Sequence, residues 1–249
     1  MTARVDPPVD ALPGVIVVTG TDTDVGKTVA TAAIAAALAG RGRSVAAYKP
    51  TQTGVPTDAP ADVTADMAEV ARLAGVPTRE GCRLAAPMAP RAAAALERAA
   101  LPRLADHVTA VTDLAAGCHH VLVEGAGGLL VELTEAGETL ADLALALPGC
   151  GVVVVARATL GTLNHTMLTR EALCARGLRQ LGVVVGSLGP TPSVIEQSNV
   201  EHLRRLPEGV LGVLPERASR LDPARFRQGS THWLPGLAQR MGTSWRSNP

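Results

Sequence analysis

A glycine-rich segment, GTDTDVGKT at residues 20–28, limits the possible folds of this chain more than any other feature. It follows the β-branched run Val15–Thr19 and leads into an Ala-rich stretch at 27–41 that has the composition of a helix. A glycine-rich turn between a strand and a helix is typical of a phosphate-binding loop, whose backbone N–H groups face the phosphates. Five residues, rather than the standard four, separate Gly20 from Gly26, so the segment is a variant of that loop.

The loop predicts contacts with a nucleoside triphosphate. Lys27 is expected to reach the β- and γ-phosphates, and the Thr28 hydroxyl is expected to bind Mg²⁺. The other interpretation is a Gly-capped turn with an incidental lysine and threonine, and the flanking strand and helix favour the phosphate loop. The nucleotide-binding positions predicted in this segment are Asp24, Val25, Gly26, Lys27, Thr28 and Val29.

Short apolar runs alternate with Ala/Leu-rich stretches along the whole chain. Predicted strands are Val15–Thr19, Ser44–Tyr48, His120–Glu124, Gly151–Ala156, Leu181–Ser187 and Val210–Leu214, and predicted helices lie near 27–41, 64–75, 103–116, 139–147, 163–177 and 196–206. Strands that are apolar on both faces and are followed by helices indicate a parallel sheet covered on both sides. We therefore predict a single α/β domain with a mostly parallel sheet and helices on both faces, of the P-loop NTPase type.

The domain is expected to span residues 14–216. Residues 1–13 are expected to form a loose N-terminal arm, and residues 217–249 a C-terminal segment that packs on the domain or trails from it. This last segment mixes Pro, Gly and Arg with Trp233 and Trp245, and its pattern is irregular.

Composition argues against several classes of protein. Lys+Arg and Asp+Glu are balanced at 23 each, which is unlike the basic surface of a nucleic-acid-binding protein. The four cysteines are widely spaced without a CxxC pair, so we expect buried reduced thiols rather than disulfides or a zinc site. The N-terminus lacks a signal-peptide pattern, and no apolar run reaches membrane-spanning length. A soluble cytoplasmic protein is expected.

Polar residues follow the second predicted strand. Lys49 comes directly after it, Pro50 prevents a helix there, and Thr53 lies just downstream. A lysine at this edge could neutralise charge on a transferred γ-phosphoryl group. The other interpretation is a solvated lysine at a strand end, and the neighbouring hydroxyl of Thr53 favours the site.

Two acidic residues are candidates for binding the metal. Glu124 ends an apolar strand and is predicted to be the second anchor of Mg²⁺, although it could simply cap the next turn. Asp66 lies near a helix start, where capping by Thr64 or by Asp66 itself is equally open. The glycines after Glu124 would let a ligand approach the backbone, and the predicted positions there are Glu124, Gly125, Ala126 and Gly127.

Asn164 and His165 lie in the first turn of a predicted helix that follows a strand. Free backbone N–H groups at such a helix start favour a substrate carboxylate. Ordinary N-capping by Asn164 is an equally open interpretation.

Together these motifs resemble those of the dethiobiotin synthetases of biotin biosynthesis. The matching segments are GTDTDVGKT, YKPTQTG, the Asp of TADMAEV, VEGAGGLLVEL and GTLNHTMLT, which occur in the order of the family and cover roughly residues 14–215. The resemblance implies an enzyme that joins CO₂ to 7,8-diaminononanoate with hydrolysis of ATP. The reaction it implies passes through a carbamate and a carbamic–phosphoric anhydride and closes a cyclic urea.

The resemblance also implies roles for individual residues. Lys27 and Lys49 would stabilise the γ-phosphoryl group, with Lys49 also contacting the carbamate, and Thr53 would hydrogen-bond the substrate. The family is homodimeric, and the helix end at Asn164 would receive the distal carboxylate of the diamine from the neighbouring site. The implied Mg²⁺ ligands are Thr28, Asp66 and Glu124.

The chain departs from the family at the nucleotide base. Members that select adenine often carry an Asn-Asp pair after the strand that ends here at Val185, whereas this chain has Gly186 and Ser187. A side-chain amide that reads the base is therefore missing, and triphosphates other than ATP are also candidates. By the same resemblance the base is lined by Pro215, Glu216 and Arg217.

Two other functions are compatible with a variant phosphate loop. An amide-forming relative of the cobyrinate type usually adds a glutaminase domain, for which this length leaves no room. A nucleotide switch or partitioning ATPase would bind a partner protein rather than a metabolite. GTP-specific switches usually carry Asn-Lys-x-Asp, which is not found here, and partitioning ATPases commonly have an extra lysine early in the loop, where residues 21–24 are Thr-Asp-Thr-Asp.

Overall fold

A computed structural model describes residues 12–56, 58–59 and 65–241. The strands are β1 (Val15–Gly20), β2 (Val45–Gln52), β3 (Thr78–Arg83), β4 (His120–Gly128), β5 (Gly151–Ala156), β6 (Gln180–Leu188) and β7 (Val210–Pro215). The helices are α1 (Lys27–Ala39), α2 (Asp66–Ala74), α3 (Pro90–Glu97), α4 (Leu104–Gly117), α5 (Leu140–Ala146), α6 (Thr162–Ala175), α7 (Val194–Arg204), α8 (Pro223–Trp233) and α9 (Pro235–Arg240). Residues 1–11 of the predicted arm, the candidate cap Thr64 and Trp245 lie outside the described residues.

The strands form one sheet in the order β3-β2-β4-β1-β5-β6-β7, and every neighbouring pair is parallel. Helices α1, α2 and α8 pack on one face, and helices α4 and α5 pack on the other. The predicted α/β fold with a parallel sheet covered on both sides is confirmed, and each of the six predicted strands and six predicted helices corresponds to an element of the structure.

Several elements have no clear signal in the sequence. Strand β3 is polar and lies at the edge of the sheet, so it has no apolar run to reveal it. The segment after Arg217, whose sequence pattern is irregular and predicted no elements, contains α8 and α9 in its described part. The Asp222 side chain caps α8 by accepting from the N–H of Ala224, and Pro223 occupies its first turn.

Helix α1 packs on the sheet and contacts both α2 and α8. Its alanines, such as Ala30, Ala33 and Ala37, are fully buried, and their small side chains let the neighbouring elements pack closely. Phe226 of α8 is also fully buried, and its ring meets that of Trp233 edge-on with centroids 5.3 Å apart. No helix in the described part of the chain is long and apolar enough to cross a membrane.

The carboxyl ends of all seven strands lie at one edge of the sheet because the strands are parallel. Strand β1 is central, with β4 on one side and β5 on the other. The chain leaves β1 toward α1 at this edge, where ligands of open parallel sheets bind.

Candidate functional site

The phosphate loop connects β1 to α1 and is anchored by its backbone. The N–H of Thr21 donates to the carbonyl of Val155 at 2.9 Å. Asp24 and Gly26 both have positive φ, 52° and 94°, which curls the chain just before α1 begins. Nζ of Lys27 reaches back across the loop and donates to the carbonyl oxygen of Asp22 at 2.9 Å. These hydrogen bonds hold the loop in its curled conformation without a bound phosphate.

The end of β6 lies directly under this loop. A Cβ added at Gly26 would come within 2.9 Å of the carbonyl oxygen of Gly186, and a Cβ added at Gly186 would collide with the carbonyl oxygen of Val25. Adenine-selecting relatives are expected to have asparagine at this position. Close packing against the loop therefore explains why this chain has glycine at 186.

Lys49 lies between two carboxylates at the same edge of the sheet. Its Nζ is 2.6 Å from Oδ2 of Asp66 at the start of α2 and 2.8 Å from Oε1 of Glu124 on β4. The Thr28 hydroxyl, from the first turn of α1, donates to the same Oε1 of Glu124 at 3.0 Å. Four elements thus bring one lysine, two carboxylates and a hydroxyl to one point.

Burial and charge act in opposite directions on these groups. Burial alone would lower the pKa of Lys49, but the attraction of Glu124 and Asp66 outweighs it and raises that pKa. Burial would raise the pKa of Asp66, and the ammonium of Lys49 outweighs it and holds that pKa below its usual value. The pKa of Lys27 is lowered, first by burial and then by repulsion from Lys49. Lys49 and Asp66 therefore stabilise each other's ionised forms.

The oxygen atoms of the cluster fit Mg²⁺. Glu124 is fully buried, and its Oε2 has no hydrogen-bond partner among the described residues. Mg²⁺ in nucleotide enzymes usually takes one or two carboxylates and fills its other positions with water and phosphate oxygens. The part of the chain that the structure describes contains no group of three or more His, Cys, Asp or Glu that could enclose a metal. Two carboxylates and a threonine hydroxyl suit the Mg²⁺ of a nucleotide rather than a closed metal site.

Two cavities meet at the phosphate loop, and Asp24, Gly26 and Val29 line both. One, of about 450 Å³, is lined by the residues predicted to face the base, Gly186, Ser187, Pro215, Glu216 and Arg217. The other, of about 520 Å³, is lined by Lys27, Thr28, Lys49, Thr53, Asp66, Glu124, Ala126 and Gly127. Most of the predicted site residues therefore line one or the other of these two cavities beside the loop.

Two predicted site residues lie elsewhere. Gly125 lines neither cavity, because the position of a side chain there is taken by Leu140. Asn164 lies in the exposed first turn of α6 and also lines neither cavity.

The simpler structural interpretations of three residues are wrong. Asp66 does not cap α2 with its side chain, because the cap position is Ala65 and no side-chain hydrogen bond is present. Glu124 lies inside β4 and caps no turn. The cap of α6 is Gly161, so Asn164 does not cap that helix. Each of these polar side chains is left available for another role.

Gln52 and Arg157 also hold the site together and were not predicted from the sequence. Oε1 of Gln52 accepts from the N–H of Asp66 at 2.9 Å, and its Nε2 donates to the carbonyl of Thr53 at 2.9 Å, so it ties α2 to the end of β2. The guanidinium of Arg157 donates to the carbonyl of Thr23 at 2.7 Å and holds the other side of the loop. Gln52 lies in the segment KPTQTG between Lys49 and Gly54, and that position was its only signal in the sequence.

Known protein families match most of this chain. A family model described as "AAA domain" matches residues 15–224. The ATP-dependent dethiobiotin synthetase BioD of Mycobacterium avium is 49% identical over 230 residues, which cover 90% of this chain and 99% of that protein. The protein of the same name from Rhodococcus jostii is 49% identical and covers 88% of this chain and 94% of its own length.

Solved structures support the fold. The septum site-determining protein MinD from Pyrococcus horikoshii, complexed with Mg-ADP, aligns with a TM-score of 0.54 and 17% identity, covering 92% of this chain and 93% of its own. At that identity the likeness concerns the fold alone. The relatives that share nearly half of their residues over almost their whole length decide the family, and this chain belongs to the ATP-dependent dethiobiotin synthetase family.

Proposed function

We propose that this protein is a dethiobiotin synthetase, a ligase of biotin biosynthesis that forms a cyclic urea from 7,8-diaminononanoate and CO₂ with hydrolysis of ATP. Its relatives carry that name at 49% identity over most of the chain. One observation carries the proposal: Lys49, Asp66, Glu124 and Thr28 meet beside the phosphate loop, in a cavity large enough for a small acid.

The residues divide the work between charge and position. The loop and Lys27 bind the phosphates, and Lys49 contacts the carbamate and neutralises the γ-phosphoryl group as it is transferred. Thr53 hydrogen-bonds the substrate, since it lines the same cavity as Lys49. Thr28, Asp66 and Glu124 would hold Mg²⁺, which supplies positive charge to the β- and γ-phosphates. Little covalent chemistry is required of the protein beyond this positioning.

The site discriminates little among nucleotide bases in this proposal. Gly186 has no side chain to read a base edge, and a larger residue there would collide with the loop. The other residues predicted to face the base, Ser187, Pro215, Glu216 and Arg217, are half-buried or exposed. ATP is therefore one of several triphosphates that we expect to be accepted.

The enzyme acts as a homodimer in this proposal. Leu160, Met167 and Leu168, in α6 and just before it, are 84%, 37% and 55% exposed, which is unusual for neighbouring apolar side chains and supports a contact with a second subunit. Asn164 in the same helix would then reach the partner's substrate. The balanced charge supports small-molecule substrates rather than nucleic acid, and the four free cysteines support a reducing cytoplasm.

The test is product formation by the purified protein with MgATP, bicarbonate and 7,8-diaminononanoate, read by mass spectrometry. We expect dethiobiotin, together with phosphate release that needs both diamine and bicarbonate. Phosphate release that needs neither the diamine nor bicarbonate, without formation of dethiobiotin, would instead indicate a nucleotide switch.

A further inference from the structure

The two lysines of the site have different partners. Nζ of Lys27 donates to a backbone carbonyl of the loop, that of Asp22, at 2.9 Å. Nζ of Lys49 instead contacts Oδ2 of Asp66 at 2.6 Å and Oε1 of Glu124 at 2.8 Å. Lys49 therefore contacts the same two carboxylates that would hold Mg²⁺.

Thr28, the third proposed Mg²⁺ ligand, contacts one of the same carboxylates. The Thr28 hydroxyl donates to Oε1 of Glu124, the oxygen that also contacts Lys49. The side chain of Lys49 is 4% exposed and that of Glu124 is 0% exposed, so water screens their attraction little. Oε2 of Glu124 has no partner among the described residues, so a divalent cation that bound there would lie close to the ammonium on Oε1, and the two like charges would repel strongly in a buried site.

The buried carboxylate needs a positive partner at all times. A charge without a partner in the interior costs several kcal/mol, so Glu124 requires a counter-ion whether or not a nucleotide is bound. Lys49 supplies it through a flexible four-carbon stem that lets its ammonium change partners. Lys27 and residues of the phosphate loop line the same cavity as Lys49. A triphosphate bound there would offer anionic oxygens to the ammonium of Lys49.

We propose that Lys49 is the resident counter-ion of the Asp66–Glu124 pair, that a divalent cation binds there in competition with its ammonium, and that a triphosphate favours the exchange by giving Lys49 another anionic partner. The inference rests on the proposed function in assigning the metal and the triphosphate to this cavity. It predicts weak binding of a metal by itself and tight binding together with a nucleotide.

The experiment is a Mn²⁺ titration of the full-length protein, read by electron paramagnetic resonance, with no nucleotide and no diamine present. Lys49→Gln keeps a hydrogen-bond donor between the carboxylates but removes the charge. We expect Lys49→Gln to bind Mn²⁺ at least about tenfold more tightly than the unchanged protein. Equal affinity in the two proteins would overturn the proposal.

Two further variants show where the Mn²⁺ binds. Lys27→Gln removes a neighbouring positive charge that contacts neither carboxylate, and it should increase affinity clearly less than Lys49→Gln does. The double variant Lys49→Gln/Glu124→Gln should not show the increase in Mn²⁺ affinity that we expect for Lys49→Gln. An equally large increase in Mn²⁺ affinity in Lys27→Gln, or an increase that remains in the double variant, would show a general effect of charge. Either result would contradict the exchange of the Lys49 ammonium for a metal ion at the carboxylates.

A second measurement applies if Lys49→Gln does not fold in buffer alone. Refolding is then followed by circular dichroism with and without Mn²⁺. Recovery that depends on Mn²⁺ supports competition for the carboxylates, and failure in both conditions counts against it.

The two proposals fail in different ways. If the unchanged protein forms dethiobiotin but Lys49→Gln gains no affinity for Mn²⁺, only the counter-ion role is lost. If it forms no dethiobiotin, the proposed function is lost, and the titrations still decide whether Lys49 and the metal compete, because they contain no substrate.

Discussion

At the scale of single residues, the site depends on a few charges that arrive from distant parts of the chain. Lys49, Asp66 and Glu124 come from β2, α2 and β4, and the ammonium of Lys49 lies within hydrogen-bonding distance of both carboxylates. The positions of Lys49 and Glu124 near strand ends were predictable, because parallel strands end at a common edge. Their direct pairing was not, since the sequence does not give side-chain distances.

Lys49→Ala tests the residue on which most of the chemistry depends. Removing the ammonium takes away the group that neutralises the transferred phosphoryl, so kcat for dethiobiotin formation should fall by a factor of about 10² or more. The measurement is steady-state turnover with saturating MgATP, diamine and bicarbonate. Arg43→Ala, at an exposed residue beyond α1, is the matched control and should keep normal turnover. Turnover near that of the unchanged protein would remove Lys49 from the mechanism.

At the scale of elements, the buried strands and amphipathic helices could be predicted from their patterns, whereas edge and tail elements could not. Strand β3 reads TREGCR, and the structure makes it a strand by pairing it with β2, which the sequence alone does not reveal. Helix α8 carries mostly polar residues around the buried ring of Phe226, so its sequence pattern is irregular. Tertiary context decides such segments more than local preference does.

The contact between β6 and the phosphate loop is a second feature that the sequence hid. Gly186 looked like a missing base reader, whereas the structure also gives it a steric role. Gly186→Ala should push the loop away through the carbonyl oxygen of Val25 and weaken binding of ATP by about tenfold or more, since the loop's N–H groups must point inward. Isothermal titration with MgATP measures the change.

Gly117→Ala serves as the control for that substitution. A Cβ at Gly117, at the end of α4, would meet no atom within 4 Å, so ATP affinity should not change. An unchanged ATP affinity in Gly186→Ala would mean that the loop adapts without cost, and the steric explanation for glycine at 186 would be wrong.

At the scale of the whole molecule, the C-terminal helices and the phosphate loop belong to one packed structure. Helix α8 contacts α1 and α2, and α1 begins at Lys27 of the loop. Phe226 is the only phenylalanine among the 249 residues and is fully buried in the same apolar cluster as α1. In a core built largely from Ala, Val and Leu, one large ring contributes an unusual share of the buried apolar surface.

Phe226→Ala should therefore lower the free energy of unfolding by about 3–5 kcal/mol, because the lost burial is added to the cost of the cavity left behind. Urea denaturation followed by circular dichroism measures it, and the loss should appear as a lower midpoint with a similar slope. Phe226→Leu fills most of the space and should cost clearly less. Folded Phe226→Ala should still form dethiobiotin at low temperature, since the residue lies away from both cavities of the site. If the unfolding free energy did not change, α8 would contribute little to holding α1 and its phosphate loop in place.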